Sequence, residues 1–300
     1  MPPKASAILE GVMAINKPPS ITSAQLLRDL QPLLSRSPLF APLLARETAK
    51  NHNEPRTKAR HRRDRKALQV KLGHGGTLDP LATGVLILGV GAGTKALGGF
   101  LQCTKRYECV VLFGAATDTY DVLGKTVARA PAGHVTRGAV EEALKRFRGE
   151  IMQQPPVFSA LRVNGKRMYE YAREGGEIPT LPERPVRVEE LEFSNIAGSV
   201  PADVPNTTEA SSAPDAQTAG PPAARLTMTV SSGFYVRSLC HDVGRAVGSL
   251  GTMASLVRTQ QGDFELGKNV LEWADFEAGE DTWGPKVGAE GVGEAEEFKF

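Results

Sequence analysis

The sequence predicts a protein of the α+β class. Three observations carry this. Short runs with the two-residue period of strands recur along the chain, and capped amphipathic helical stretches alternate with them, so neither type dominates. The composition is that of an ordinary globular protein, with 41% hydrophobic and 23% charged residues, which excludes collagen, coiled coil and wholesale disorder. At 300 residues the chain is long enough for a sizeable core, as two ordinary domains or one large one.

The elements follow in order. Residues 11–16, GVMAIN, alternate as a short strand, Lys17-Pro18-Pro19 ends it, and Thr22 or Ser23 caps a helix carrying Leu26, Leu27 and Leu30. Residues 37–66 break the pattern. A proline-punctuated apolar patch leads into a basic block at 56–66 with one acid in eleven residues, expected as a mobile or helical surface insert. LGHGGTLDPLATG at 72–84 reads as a glycine-rich loop, followed by the strand VLILGV and a helix over about 94–102. In the next strand, 106–113, Tyr107, Cys109, Val111 and Phe113 share one face. A helix near 139–147 and a strand near 186–193 continue the alternation. Residues 197–224 are rich in Pro, Ala, Ser and Thr and predict a disordered loop. The strand LTMTVSS, a turn at Gly233, a helix over 236–247 and a strand near 253–258 complete the order. Because that loop joins strands and not separate cores, one catalytic domain over 1–270 with two insertions is expected. An acidic tail over 271–300 follows, with too little alternation for another folded module.

Charge is segregated. The net is only +2, yet residues 271–300 hold nine acids and two bases, a net of −7, which leaves +9 on the rest. That imbalance favours a polyanionic partner. The three cysteines, Cys103, Cys109 and Cys240, have no CxxC spacing, so neither a disulfide framework nor a structural zinc site is expected and a reducing compartment fits. No apolar run reaches membrane-spanning length.

Two places could carry chemistry. Asp79 stands in GGTLDP, where glycines permit tight backbone geometry and Pro80 biases Asp79 away from helix. Alone, an Asp-Pro turn is as much backbone chemistry as catalysis. A phosphate loop is the rival, but GxxxxGK[ST] and a helix-opening GxGxxG are both absent, which disfavours ATP and dinucleotides. The second place is SSGFYVR at 231–237, where Arg237 in the first turn of a helix opposes the macrodipole and calls for a carboxylate partner.

Four segments, HGGTLDPLATGVL, KRYECVVLFGAATDTYDVLG, QQPPVFSALRVNGKRMYEYAREG and SSGFYVRSLCHDVG, stand in the order and spacing of the TruB family of tRNA pseudouridine synthases. The resemblance covers about two-thirds of the chain. The basic insert, the low-complexity loop and the lack of a C-terminal PUA-like module make it similar to the stand-alone eukaryotic, fungal-like branch. Two departures are Ser20 where the family usually has glycine and Phe234 where threonine is common.

The resemblance implies a pseudouridine synthase fold with a mixed, largely antiparallel central sheet flanked by helices and loops. It implies isomerisation of uridine to pseudouridine in the T-arm of tRNA, at uridine 55, with messenger RNA open as a second substrate. No metal or cofactor is implied, nor an obligate protein partner; a monomer is expected. By resemblance Asp79 is the catalytic carboxylate, acting ionised either on the sugar carbon or on a sugar proton. Arg237 pairs with it, and Tyr107 stacks on the target base. Tyr235 lies near the base edge, Leu256 makes an apolar contact to the uracil, and His74 supports the space around the extruded nucleotide. Extruding a base costs a few kcal/mol, offset by stacking and backbone contacts. Lys17, Lys105, Arg106, Lys166 and Arg167 are the expected phosphate contacts.

Two other readings stay open: a guide-RNA-dependent subunit of the H/ACA type, and a non-catalytic RNA-binding or folding module, disfavoured by the presence of Asp79, Tyr107, Tyr235 and Arg237 together. A glycosidase is disfavoured because no second carboxylate stands out as proton donor. The resemblance points to nucleus or mitochondrion and leaves the cytoplasm open.

Overall fold

The computed structural model describes residues 8–53, 68–175, 177–197 and 222–287. The chain packs as two compact units, Met1–Cys103 with Thr259–Phe300, and Thr104–Arg258. Helices and strands are mixed in both, and the strand pairs named below are antiparallel except one, so the α+β expectation holds.

The first unit opens with β1 (Gly11–Lys17). Val12, Met13, Ala14 and Ile15 are all buried, because the run is apolar at every position and so suits a strand covered on both faces. Helix α1 (Ser23–Arg36) starts where the Thr22 hydroxyl accepts from the Gln25 N–H at 3.0 Å and buries a stripe of Leu26, Leu30 and Leu34. A short 3-10 turn leads to α2 (Ala41–Asn53). Phe40 and Leu43 are buried here, and Arg46 on α2 pairs through both guanidinium nitrogens with Glu10. The apolar half of the 37–66 insert is thus a packed helix; the basic block at 56–66 lies outside the described residues. Strand β2 (Leu72–His74) and β1 both pair with β3 (Thr83–Val90), and α3 (Leu97–Gln102) follows.

The second unit begins with β4 (Lys105–Phe113). Its buried face carries Tyr107, Cys109, Val111 and Phe113, while Arg106 is exposed: the predicted alternation. A hairpin of β5 (Ala115–Thr117) and β6 (Thr126–Arg129), helix α4 (Arg137–Leu144) and β7 (Gly149–Gln153) come next. The small hairpin of β8 (Arg162–Val163) and β9 (Lys166–Arg167) turns at Asn164-Gly165, both with positive φ (51° and 80°), as a two-residue hairpin turn requires. It leads into α5 (Met168–Glu174). Strand β10 (Arg184–Ala197) pairs with β7 on one side and with β11 (Ala223–Val230) on the other, and β11 pairs with β4. Of the low-complexity segment between β10 and β11, residues 198–221 lie outside the described residues. Helix α6 (Val236–Ala246) buries Val236, Leu239, Cys240 and Val243.

Strand β12 (Gly251–Gln261) runs out of the second unit and into the first, where β13 (Phe264–Glu265) turns back on its end. Phe264 there joins Val12, Ala14, Val85, Ile87 and Phe100 in the first unit's core. Strand β14 (Leu271–Glu272) then lies parallel to β1, and α7 (Trp273–Ala278) and α8 (Glu280–Lys286) follow. The expectation of an unfolded acidic tail from residue 271 is corrected through residue 287. Phe276 and Trp283 are buried with ring centroids 5.5 Å apart, and Glu280 accepts from the Ser37 hydroxyl at 2.6 Å. Helices of six and seven residues are too short to display a period, so three aromatics among many acids read as a tail.

Candidate active site

In the first unit the segment around Asp79 is fixed from both sides. Ser23, the first residue of α1, accepts from the Leu78 N–H at 2.9 Å and its hydroxyl donates to the Leu78 carbonyl at 3.2 Å. Lys17, fully buried at the end of β1, donates from Nζ to the carbonyls of Pro18 (2.7 Å), Ile21 (2.8 Å) and Pro80 (3.2 Å). A buried ammonium is tolerated only with such partners. Asp79 sits between these anchors, half-buried, and its carbonyl accepts from Ala82 at 3.1 Å. The glycines upstream have specific work. A Cβ at Gly75 would stand 3.1 Å from that of Phe100, and Gly76 has φ 134°, a region L side chains rarely adopt. His74 is half-buried on β2, opposite Leu88 of β3.

In the second unit the key group is Arg237. It is 4% exposed, so its charge has to be met within the protein. Its guanidinium donates to the carbonyls of Thr119 at 2.9 Å and Phe158 at 2.8 Å, and Nε lies 4.0 Å from the Asp121 carboxylate. These contacts offset the unfavourable position in the first turn of α6. Tyr235 precedes the helix and its backbone is held by Gln153, which accepts from the Tyr235 N–H at 2.8 Å and donates to its carbonyl at 3.0 Å. Tyr107 lies on the buried face of β4, 8% exposed and opposite Met228. Leu256 on β12 is 6% exposed.

The expected phosphate contacts divide. Lys17 is corrected: it is fully buried and its ammonium serves backbone carbonyls. Lys105 is 7% exposed. Arg106 is exposed, 3.4 Å from the Thr229 hydroxyl and 3.5 Å from Glu190. Lys166 pairs with Glu174 and lies over the Tyr171 ring. Arg167 donates to the Tyr169 hydroxyl at 2.7 Å. In the sequence Ser23 is read only as a candidate helix cap, and Asp121 and Gln153 are not assigned. Asp121 and Gln153 stand inside the segments GAATDTYDVLG and QQPPVF, but no spacing marks a turn aspartate as an arginine's partner or a strand-end glutamine as a clamp. Cys109 and Cys240, both buried, approach to 3.9 Å between sulfurs as free thiols; mutual contact and burial push the Cys240 thiol well up. Among the described residues no helix is long and apolar enough to cross a membrane.

Residues 63–236, which include Asp79, Tyr107 and Asp121, match the TruB family pseudouridylate synthase N-terminal domain. The chain belongs to the TruB family. Among curated TruB relatives, tRNA pseudouridine synthase 4 of Schizosaccharomyces pombe is 36% identical over 93% of this chain and 85% of its own length. The Saccharomyces cerevisiae protein of the same name is 34% identical over 92% and 83%. A solved H/ACA ribonucleoprotein bound to a substrate RNA containing 2′-deoxyuridine shares the fold at a TM-score of 0.57 and 19% identity, over 95% of this chain and 59% of that one.

Proposed function

We propose that this TruB-family chain is a tRNA pseudouridine synthase that isomerises uridine 55 of the T-arm, with messenger RNA as a further substrate, acting as a monomer without a guide RNA. The observation that carries the reading is the anchored Asp79: a carboxylate in the HGGTLDPLATG segment, gripped at Leu78 by Ser23 and at Pro80 by Lys17. Preorganisation of this kind is what a reaction needs when its single carboxylate must meet a sugar at a defined distance.

The chemistry is internal to the nucleotide. The bond from N1 to C1′ breaks, the uracil turns, C5 bonds to C1′, the C5 proton leaves to solvent and N1 takes one up. Asp79 acts ionised in this scheme, with Arg237 supplying positive charge and Tyr107 a ring face for the extruded base. Arg106 and Arg167, exposed cations of the second unit, are suited to phosphate contacts. The names of the fungal relatives support tRNA as the substrate.

The test is tritium release from unmodified tRNA labelled at C5 of uridine. The wild-type chain alone is expected to release label from one uridine per tRNA, and Asp79→Ala to release none while binding tRNA with unchanged affinity. Release by Asp79→Ala, or a requirement for added guide RNA, would overturn the reading.

A further inference from the structure

Arg237 takes its orientation from a loop with an unusual residue at its centre. Two of its partners, the Thr119 carbonyl that accepts from it and the Asp121 carboxylate paired with it at 4.0 Å, flank Tyr120, whose φ of 63° is costly for a bulky L residue. The left-handed conformation reverses the chain between 119 and 121, so both groups face one guanidinium. The surroundings hold this shape. Met253 donates to the Tyr120 carbonyl at 2.9 Å, the Thr117 hydroxyl to the Asp121 carbonyl at 2.7 Å, and the Thr119 hydroxyl to the Asp121 carboxylate at 2.7 Å.

The Tyr120 side chain adds a contact that these bonds do not explain. Its ring stacks on the His241 imidazole, with centroids 4.1 Å apart and planes within 11°. His241 is four residues beyond Arg237 on α6, hence on the same helix face. Among the described residues its buried Nδ1 has no hydrogen-bond partner, and the imidazole presents a flat face to Tyr120. Burial, assisted by Arg245, pulls its pKa below the usual imidazole value, which keeps that face uncharged.

We propose that Tyr120 and His241 are positioning residues for Arg237: their stack fastens the Thr119–Asp121 loop to α6 and so sets the guanidinium. This rests on the pseudouridine synthase reading. Displacing a charged group by a fraction of an ångström is expected to lower turnover and leave RNA binding intact, because neither ring is assigned to the RNA.

The experiment compares wild type, Tyr120→Phe, Tyr120→Leu, His241→Ala and the double variant Tyr120→Leu/His241→Ala in the tritium assay, with kcat, KM and melting temperature for each. Tyr120→Phe keeps the stack and is expected to retain wild-type kcat. Tyr120→Leu and His241→Ala are each expected to lose about tenfold in kcat, with KM unchanged and melting above the assay temperature. The double variant should lose no more than either single one, because both break the same contact. Equal loss in Tyr120→Phe, unchanged kcat in the two single variants, a proportional rise in KM, multiplying losses in the double variant, or variants unfolded at the assay temperature would each overturn the proposal. An inactive wild type would overturn the functional reading and this proposal with it; an active wild type with insensitive variants would overturn this proposal alone.

Discussion

Gln153 holds Tyr235 by both of its backbone groups, one amide oxygen accepting at 2.8 Å and one amide nitrogen donating at 3.0 Å. The clamp is buried, with Gln153 3% exposed, and it fixes the residue from which α6 and Arg237 depart. The Tyr235 carbonyl also accepts from Leu239, so the N–H is the group that would lose its partner. Gln153→Ala is therefore expected to destabilise the chain by about 1–3 kcal/mol. Urea unfolding would show this as a lower midpoint at unchanged slope.

Lys17 separates a structural cation from an RNA-binding one. Lys17→Met keeps the stem and removes the ammonium from three carbonyls, which is expected to lower kcat about tenfold or more by loosening the Asp79 segment. The salt dependence of tRNA binding should be unchanged. A lost phosphate contact would instead reduce the slope of log K against log salt by about 0.7–0.9.

Ser20 carries φ 68° in the entry loop before α1. A left-handed L residue costs about 1–2 kcal/mol, and glycine returns about 0.5–1 kcal/mol of that as chain entropy. Ser20→Gly should stabilise the chain by the remainder, about 1 kcal/mol or less, which urea unfolding would show as a higher midpoint. A lower midpoint would show that the serine hydroxyl contributes more than its backbone costs.

Trp283 tests whether the C-terminal helices belong to the fold. It is 2% exposed and stacks on Phe276, so Trp283→Ala is expected to cost about 3–5 kcal/mol. Equilibrium unfolding within about 0.5 kcal/mol of wild type would count against that packing.

The Glu10–Arg46 pair predicts an acid-limb effect. The Arg46 guanidinium pulls the Glu10 carboxyl down to about 2 from 4.5. The folded value lies below the unfolded one, so the unfolded chain binds the extra proton. The contribution is full above pH 4.5 and is lost as pH falls through 2. Glu10→Gln should lower stability at pH 7 and flatten its decline between pH 5 and 3, measured as urea midpoint against pH.

Much of this fold was legible in the chain. Strand β4 was readable because Tyr107, Cys109 and Val111 alternate with Arg106 and Glu108 over its first half; farther on Val110 is buried as well. Helix α1 was readable because Thr22 and the leucine spacing agree. Asp79 is singled out as a candidate by the order of four segments, not by its own neighbourhood. What escaped reading depends on contacts distant in sequence. Nothing beside Lys17 indicates a carbonyl at Pro80, and nothing beside Arg237 indicates Thr119, Asp121 or Phe158. A lysine or arginine in a sequence reads as solvated until the acceptors that bury it are known. The short helices after Leu271 escaped for another reason: their apolar face is made by three aromatics spread over two helical turns on either side of a glycine.

The Lys17 and Ser23 anchors also have a topological consequence. Both grip the Asp79 segment from positions 63 and 55 residues earlier in the chain, so a peptide carrying only residues 72–84 would lack the contacts that hold its carboxylate in place.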